Sequence, residues 1–470
     1  MLFHDFNKDG IIDMLGGVLN QENELSKKPL QIYFGELGHG ETVFFKAVKS
    51  LKTVAPVASI GLIDVNLDGF TDLYLGNWFQ KYKDTKIPVS DQLLLWSDGE
   101  YLDVTKEYLL GEKDTNLSGS MNINATPTYG VQICDIDSNG YPDILTTSTN
   151  RFHNKMWMNQ YKFRDKRRYF KDYGLESGFA GDPDGLINKQ GSGRSFGLAC
   201  ADYNNDTIMD IYLGELSHNY DDQSVDRSSL LTGRSLKFPP RFYRTEYFLD
   251  SFDINWHQAD RRGIWVDLNN DGLLDLIIDN SGYPPQSKML VFLQEKDHSF
   301  TEKGLELGLN FTNPISTVVL DINKDGKMDI LTARSRIRDE RLVSEVFLFE
   351  NNFKNKNKSI RLYLKGQRSN SQGLNATVIV KVKTESGTQI RKQVVSYSYG
   401  AFTPQNEEGI LFGFAEGETP LSLTVVWPYH SNENASQASM EKTYKIPINW
   451  EKDKFFDLFE SGVIKKHDKL

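Results

Sequence analysis

Residues Asp267 to Asn280 read "DLNNDGLLDLIIDN". Oxygen-bearing side chains stand at the first, third, fifth and ninth places, a glycine at the sixth, and an apolar run follows. The frame returns five more times: "DFNKDGIIDML" from Asp5, "DVNLDGFTDLYLGN" from Asp64, "DIDSNGYPDILTTS" from Asp135, "DYNNDTIMDIYLGE" from Asp202 and "DINKDGKMDILTAR" from Asp321. In chain order the starts lie 59, 71, 67, 65 and 54 residues apart. Six copies of a nine-residue acidic pattern do not arise from composition alone, and a fixed period of this kind marks a repeat architecture.

Alternating oxygen donors suit a hard cation such as calcium, which takes about six to eight oxygens from carboxylates, amides, backbone carbonyls and water. The first loop offers Asp5, Asn7, Asp9 and Asp13 with the carbonyl of Ile11. The second offers Asp64, Asn66, Asp68 and Asp72 with that of Phe70, and the third Asp135, Asp137, Asn139 and Asp143 with that of Tyr141. The fourth has Asp202, Asn204, Asp206, Asp210 and the Ile208 carbonyl. The fifth has Asp267, Asn269, Asp271, Asp275 and the Leu273 carbonyl. The sixth has Asp321, Asn323, Asp325, Asp329 and the Lys327 carbonyl. No Cys or His stands at any of these places, which disfavours zinc and copper. An EF-hand would close with a glutamate at the twelfth place; here that place holds Gly16, Leu75, Thr146, Leu213, Ile278 and Thr332. The sixth-place glycine permits a sharp turn at positive φ. In the fourth loop Thr207 replaces it, so that loop is expected to bind most weakly.

The net charge of −10 has the same origin. Every loop holds three aspartates among its donors, and six calcium ions would move the formal charge to +2. With a pI near 5.4 and no basic stripe, nucleic acid is an unsuitable partner. No apolar run reaches the length of a transmembrane helix. Cys134 and Cys200 each precede a loop in an apolar stretch ("VQICDID", "GLACADY") and read as buried core thiols. Two cysteines make no disulfide framework. Simple loops of this type work in calcium-rich surroundings, so the expected location is extracellular, cell-surface or periplasmic. "MLFHDFNKDG" has none of the features of a signal peptide, and the chain is expected to be a fragment or a mature form whose leader has been lost.

The residues after each loop are apolar and short, as buried strands are. Further on, "QLLLWSDGEYLDVTKEYLL" from Gln92, "KMWMNQYKFRDKRRYFKDYGLESGF" from Lys155 and "KMLVFLQEKDHSFTEKGLELGLN" from Lys288 share a strand-turn-strand pattern. One unit is therefore about 60 residues and four short strands, a propeller blade. After the Asn- and Lys-rich "NNFKNKNKS", the alternation in "ATVIVKVKT", "IRKQVVSYS" and "SLTVVWP" predicts an independent β-domain that cleavage at 354–358 would release. The tail "EKDKFFDLFESGVIKKHDKL" is expected to be a short amphipathic helix or a frayed end.

The "D-x-N-x-D-G-x-x-D" loop followed by a strand resembles the FG-GAP/VCBS repeat of integrin-α-like propellers. "RSNSQGLNA" from Arg368, Tyr399-Gly400 and Trp427-Pro428 resemble the ASPIC/UnbV domain, in the order used by the cartilage acidic protein family. Asn375 stands where that pattern has a small residue. The resemblance implies an all-β chain: an integrin-α-like propeller of six to seven blades over residues 1–354, a small sandwich-like β-domain over 359–447, and a tail over 448–470.

No nucleophile elbow, zincin motif, P-loop or dinucleotide fingerprint is present. The preferred function is thus a calcium-stabilised extracellular module that recognises protein or glycan through a propeller face. The alternative is a calcium-dependent enzyme with its active site on the top face. The segment from Gly214 to Trp265, read as a long insertion, supplies His218, Trp256, His257 and Arg261 as candidate ligand-binding residues. His153 joins them because it follows a post-loop strand just as His218 does.

Overall fold

A computed structural model describes the chain except for residues 18–28, 40–41, 53–54, 80–86, 111–124, 150–151, 163–166, 183–192, 218–225, 247–258, 282–286, 338, 397–399, 403, 430–438 and 468–470. It is almost entirely antiparallel β-sheet. Six consecutive sheets follow the six loops. In blade 2, Val57–Ile63 leads into the acidic loop, which turns into Asp72–Asn77, Gln92–Ser97 and Glu100–Asp103. Blades 1, 3, 4 and 5 repeat this four-strand plan, and blade 6 has three strands, Pro314–Leu320, Asp329–Arg334 and Val346–Phe349.

The strand after the loop is buried at every position in blades 2 to 5. Neighbouring blades cover both of its faces, so its sequence runs apolar instead of alternating. Ile63, Tyr74 and Leu93 pack on Val131, Ile144 and Trp157 between blades 2 and 3. Tyr212 packs on Leu276, Ile278 and Leu290 between blades 4 and 5. Ile264 and Val291 meet Val319 and Ile330 between blades 5 and 6. Between blades 6 and 1 there is a cleft of about 680 Å³, walled by Phe3, Ile12, Val318, Leu320 and Ile322.

Two four-stranded sheets follow blade 6 and face one another as a sandwich. Leu362, Phe412 and Phe456 from one sheet and Val380, Leu423 and Trp427 from the other share a single core, which continues into blades 1 and 2. The tail belongs to this fold and is not an appended helix. Apart from one short turn of helix, Trp450–Asp453, it forms Phe455–Phe459, which pairs in parallel with Lys358–Lys365, and Ile464–Lys466. Its apolar residues alternate at the period of a strand (Phe456 and Leu458 inward), and that signal outweighs its charge. Asn375 has φ 64°, a conformation Asn tolerates better than most residues.

Three further expectations change. The span from Gly214 to Trp265 is not all insertion, because Ser229–Gly233 and Phe242–Glu246 are the outer strands of blade 4 and Asp260–Val266 opens blade 5. Cys134 and Cys200 are joined in a disulfide instead of standing as free core thiols. They occupy equivalent ends of the innermost strands of blades 3 and 4, and radial packing brings those ends together. The β-domain is also more than docked on the propeller: residues 400–402 and 404–408 lie along the propeller axis as a strap. Gly400–Ala401 pairs with Gly130 and Val131 of blade 3, and Gly400, at φ 65°, lies against the backbone of Leu198 in blade 4, where a side chain would crowd. Phe402 N–H donates to Ser59 Oγ of blade 2 at 2.9 Å. Arg262 of blade 5 donates to Pro404 O at 3.2 Å and Asn406 Oδ1 at 3.1 Å. Gln405 exchanges two bonds with Phe3 of blade 1, at 2.8 and 2.7 Å, and Glu407 N–H donates to Val319 O of blade 6 at 3.2 Å. The strap touches the inner strand of every blade, so a cut at 354–358 would not by itself free the domain.

Candidate metal centres

All six loops share one hydrogen-bond frame. The first-place aspartate accepts from the backbone N–H groups of the fifth and sixth places, as Asp267 does from Asp271 (3.0 Å) and Gly272 (2.8 Å). The same pair of bonds recurs at Asp5, Asp64, Asp135, Asp202 and Asp321. The ninth-place aspartate has a different task. One of its oxygens accepts from the second-place N–H and the other from the third strand of the blade, as Asp275 does from Leu268 and Gln294, both at 2.9 Å. Asp13, Asp72, Asp143, Asp210 and Asp329 repeat this arrangement. A carboxylate oxygen has two acceptor sites, so each keeps one for a cation.

The turn needs left-handed backbone twice. The sixth place has φ of 85° at Gly10, Gly140 and Gly326, and 74° at Thr207, where a β-branched residue is strained. The fourth place is left-handed as well, at Lys8, Leu67, Ser138, Asn205, Asn270 and Lys324. Sequence reasoning missed this second position because only Asn205 and Asn270 are residue types that favour it.

Burial sets the electrostatics. It raises Asp135 and Asp202 to about 7, with the neighbouring Asp137 and Asp206 charges next in importance. Asp210 and Asp267 rise to about 8 for the same leading reason, and Asp64, Asp72, Asp143 and Asp275 are held well above the usual range. Carboxylates gathered out of water need a proton or a cation. At Asp135, Asp137 and Asp143 one oxygen of each lies within 4.8 Å of the others, a fit for a hard metal ion.

The loop end of the propeller faces the C-terminal domain at all six loops. Lys8 donates to Arg368 O at 2.9 Å, and Gly69 abuts that same carbonyl. Lys392 bridges loops 3 and 4, donating to Ser138 Oγ at 2.8 Å and Thr207 O at 2.9 Å. The Arg391 guanidinium lies on Gly272, where any Cβ would collide with it. Ser359 and Lys454 donate to the carbonyls of Gly326 and Asp325, both at 2.6 Å. The Asn- and Lys-rich stretch contributes too, with Asn355 and Asn357 both donating to Asn269 O.

Amides tie blade to blade in the same region. Asn159 donates to Val65 O of the preceding loop and to Pro142 O of its own. Gln294 does the same for Tyr203 O and Leu274 O, and Asn351 for Leu268 O and Met328 O. Their signal was an amide near the end of each third strand, visible in "KMWMNQ", "MLVFLQ" and "VFLFENN".

The candidate ligand residues are dispersed. His153 and Arg261 lie at the blade ends opposite the loops, on blades 3 and 5, with blade 4 between them. Arg261 donates to Ser281 O at 3.4 Å, and its guanidinium lies 5.2 Å from the Phe196 ring. His218, Trp256 and His257 lie outside the described residues. No helix among the described residues is long and apolar enough to cross a membrane.

A family model for the FG-GAP-like repeat matches residues 267–332, and one for ASPIC and UnbV matches residues 366–453. The chain therefore carries an FG-GAP-like repeat, across blades 5 and 6, and an ASPIC/UnbV domain in the sandwich. No curated protein matches it. Among solved structures it is similar to rhamnogalacturonan lyase YesW, at a TM-score of 0.36 and 12% identity over 93% of this chain and 70% of that one. It is similar to the V. cholerae biofilm matrix protein Bap1 at 0.32 and 10%, over 83% and 67% of the two chains. A thermostable family-43 glycoside hydrolase matches at 0.33 and 10%, over 65% and 95%. Likenesses this distant do not bear on function.

Proposed function

We propose that this chain is a calcium-stabilised extracellular binding module, recognising protein or glycan through the propeller end opposite the repeat loops. The observation that carries this reading is the engagement of all six loops by the chain's own C-terminal domain. A calcium ion in each loop would fix a blade turn and the surface on which the domain rests, which is a structural task. With the loop end and the axis taken up by the chain itself, a ligand is left the other end, where His153 and Arg261 stand. The Cys134–Cys200 disulfide agrees with an oxidising compartment.

The test pairs thermal melts with glycan-array binding on the full chain, in calcium and after chelation. Chelation is expected to lower the melting temperature, because an ion that binds only the folded state stabilises it by mass action. Asp267→Ala and Asp321→Ala should lower stability and leave binding by the folded fraction nearly unchanged, while His153→Ala and Trp256→Ala should do the reverse. A melting temperature indifferent to chelation removes the calcium reading. Loop variants that stay stable but lose binding place calcium in the ligand site and overturn the structural one.

A further inference from the structure

The third loop departs from the other five in the side chain at its fifth place. Asn139 stands where Asp9, Asp68, Asp206, Asp271 and Asp325 stand, and with Gly140 it makes the only Asn–Gly pair of the chain. The hydrogen-bond frame around it is nonetheless the common one. Asn139 Oδ1 accepts from the Tyr141 N–H at 2.8 Å, as each fifth-place aspartate does from the residue two places on. That bond closes a small ring that contains both the amide carbon Cγ and the Gly140 nitrogen. Asp137 takes a hydrogen bond from the other end of the same amide. The Gly140 N–H donates to Asp135 Oδ2 at 2.9 Å, and Gly140, at φ 85°, has no side chain to shield its nitrogen. Asn139 and Gly140 are half-buried, within reach of water.

These are the parts of a cyclisation. The fold holds together an amide carbon, a nitrogen nucleophile one residue on, and a carboxylate on that nitrogen's proton, which removes much of the orientational cost of reaction. We propose that Asn139–Gly140 is a site of spontaneous covalent modification, at which the Asn139 amide is lost as ammonia through a succinimide. The Gly140 nitrogen gives its proton to Asp135 Oδ2 while its electron pair forms a bond to Asn139 Cγ. The Cγ–Nδ2 bond then breaks, and the nitrogen leaves as ammonia with a proton that Asp135 returns through solvent. Water, the only co-reactant, opens the ring at either carbonyl and leaves aspartate or isoaspartate at this place. The other loops are poorly equipped for the same step. Their fifth-place carboxylates repel a nucleophile, and in the fourth loop the β-branched Thr207 crowds the nitrogen as well. The third-place Asn66, Asn204, Asn269 and Asn323 are followed by Leu67, Asn205, Asn270 and Lys324, whose side chains hinder attack. Aspartate would add a charge beside Asp135, Asp137 and Asp143. Isoaspartate would lengthen the main chain between the two N–H groups that Asp135 holds at 3.0 and 2.9 Å. Either product alters the turn on which Lys392 of the C-terminal domain rests through Ser138 Oγ.

The test ages the full chain in chelator at mildly alkaline pH, which keeps it independent of any ion at the loops. Peptide mass mapping, with isoaspartate labelled by a repair methyltransferase, follows each asparagine. Asn139 is expected to convert ahead of Asn66, Asn204, Asn269 and Asn323, and the chain to gain one negative charge on isoelectric focusing. Asn139→Gln, whose longer side chain must close a larger and slower ring, should keep its charge over the same period. Conversion of any of those four before Asn139 overturns the proposal, and so does an equal charge gain in Asn139→Gln. Ageing that converts Asn139 in urea but leaves it intact in the folded chain overturns it too, because the frame then shields the amide instead of assembling the reaction. Should the variant not fold, the order of conversion in the parent decides alone.

Discussion

Asn406→Ala should destabilise the whole propeller from a residue outside it. Its Oδ1 accepts from Arg262 of blade 5 at 3.1 Å and from Val319 N–H of blade 6 at 3.2 Å. Arg262 is 2% exposed, so water does not replace the lost acceptor. A hydrogen bond to a charged group is worth about 1.5–3 kcal/mol and a neutral one about 1 kcal/mol. Arg262 keeps Pro404 O at 3.2 Å, which places the expected loss at about 3 kcal/mol. Asn406→Asp preserves both acceptors and supplies a charge to the guanidinium, so it should match or exceed the parent. The assay is urea unfolding in saturating calcium, with amide exchange at Val319 followed in parallel. A loss below about 0.5 kcal/mol, the range of an ordinary surface substitution, would show that the strap does not hold blades 5 and 6 together.

In calcium-free protein, stability should fall as pH rises. Asp135, Asp202, Asp210 and Asp267 sit at about 7 to 8 when folded, against about 4 when unfolded. Their contribution is thus complete below pH 4 or so and lost as pH rises through those folded values. Calcium should cancel the loss, so the melting-temperature gap between calcium and chelator should widen from acid to neutral pH; a constant gap would contradict this. Thr207→Gly relieves a left-handed threonine and should tighten calcium at the fourth loop by roughly 1 kcal/mol, read by titration; weaker binding would refute it. The disulfide closes a 66-residue separation, worth about 4 kcal/mol by loop-closure entropy, so Cys134→Ser should lower the urea midpoint accordingly. A cut at 354–358 should leave the two fragments co-eluting in gel filtration, and separation would mean the strap is dispensable.

Much of the fold was readable because its signals are local. Each loop announces itself within nine residues, and the run after it is apolar because it is covered on both sides. What escaped the sequence depends on residues far apart in the chain. Cys134 and Cys200 looked like core thiols because nothing local records that adjacent inner strands put them side by side. The strap was hidden inside an ordinary-looking stretch, "GAFTPQNEE", whose polar residues find partners on blades scattered across the chain. Ser229–Gly233 and Phe242–Glu246 read as insertion in the sequence because "SLLTG" and "FYRTE" are short and partly polar outer strands.

Gln405 meets Phe3 across 402 residues of chain. At a synthesis rate of about 5–20 residues per second, the two are made about 20–80 s apart. Throughout that interval the Leu2–His4 strand has left the ribosome without the partner that covers its inner edge. A bare strand edge is a template for pairing with the wrong chain. The hazard therefore belongs to biosynthesis and not to the finished molecule. It is set by translation speed and by the crowding of nascent chains, and Gln405 is the residue whose arrival ends it.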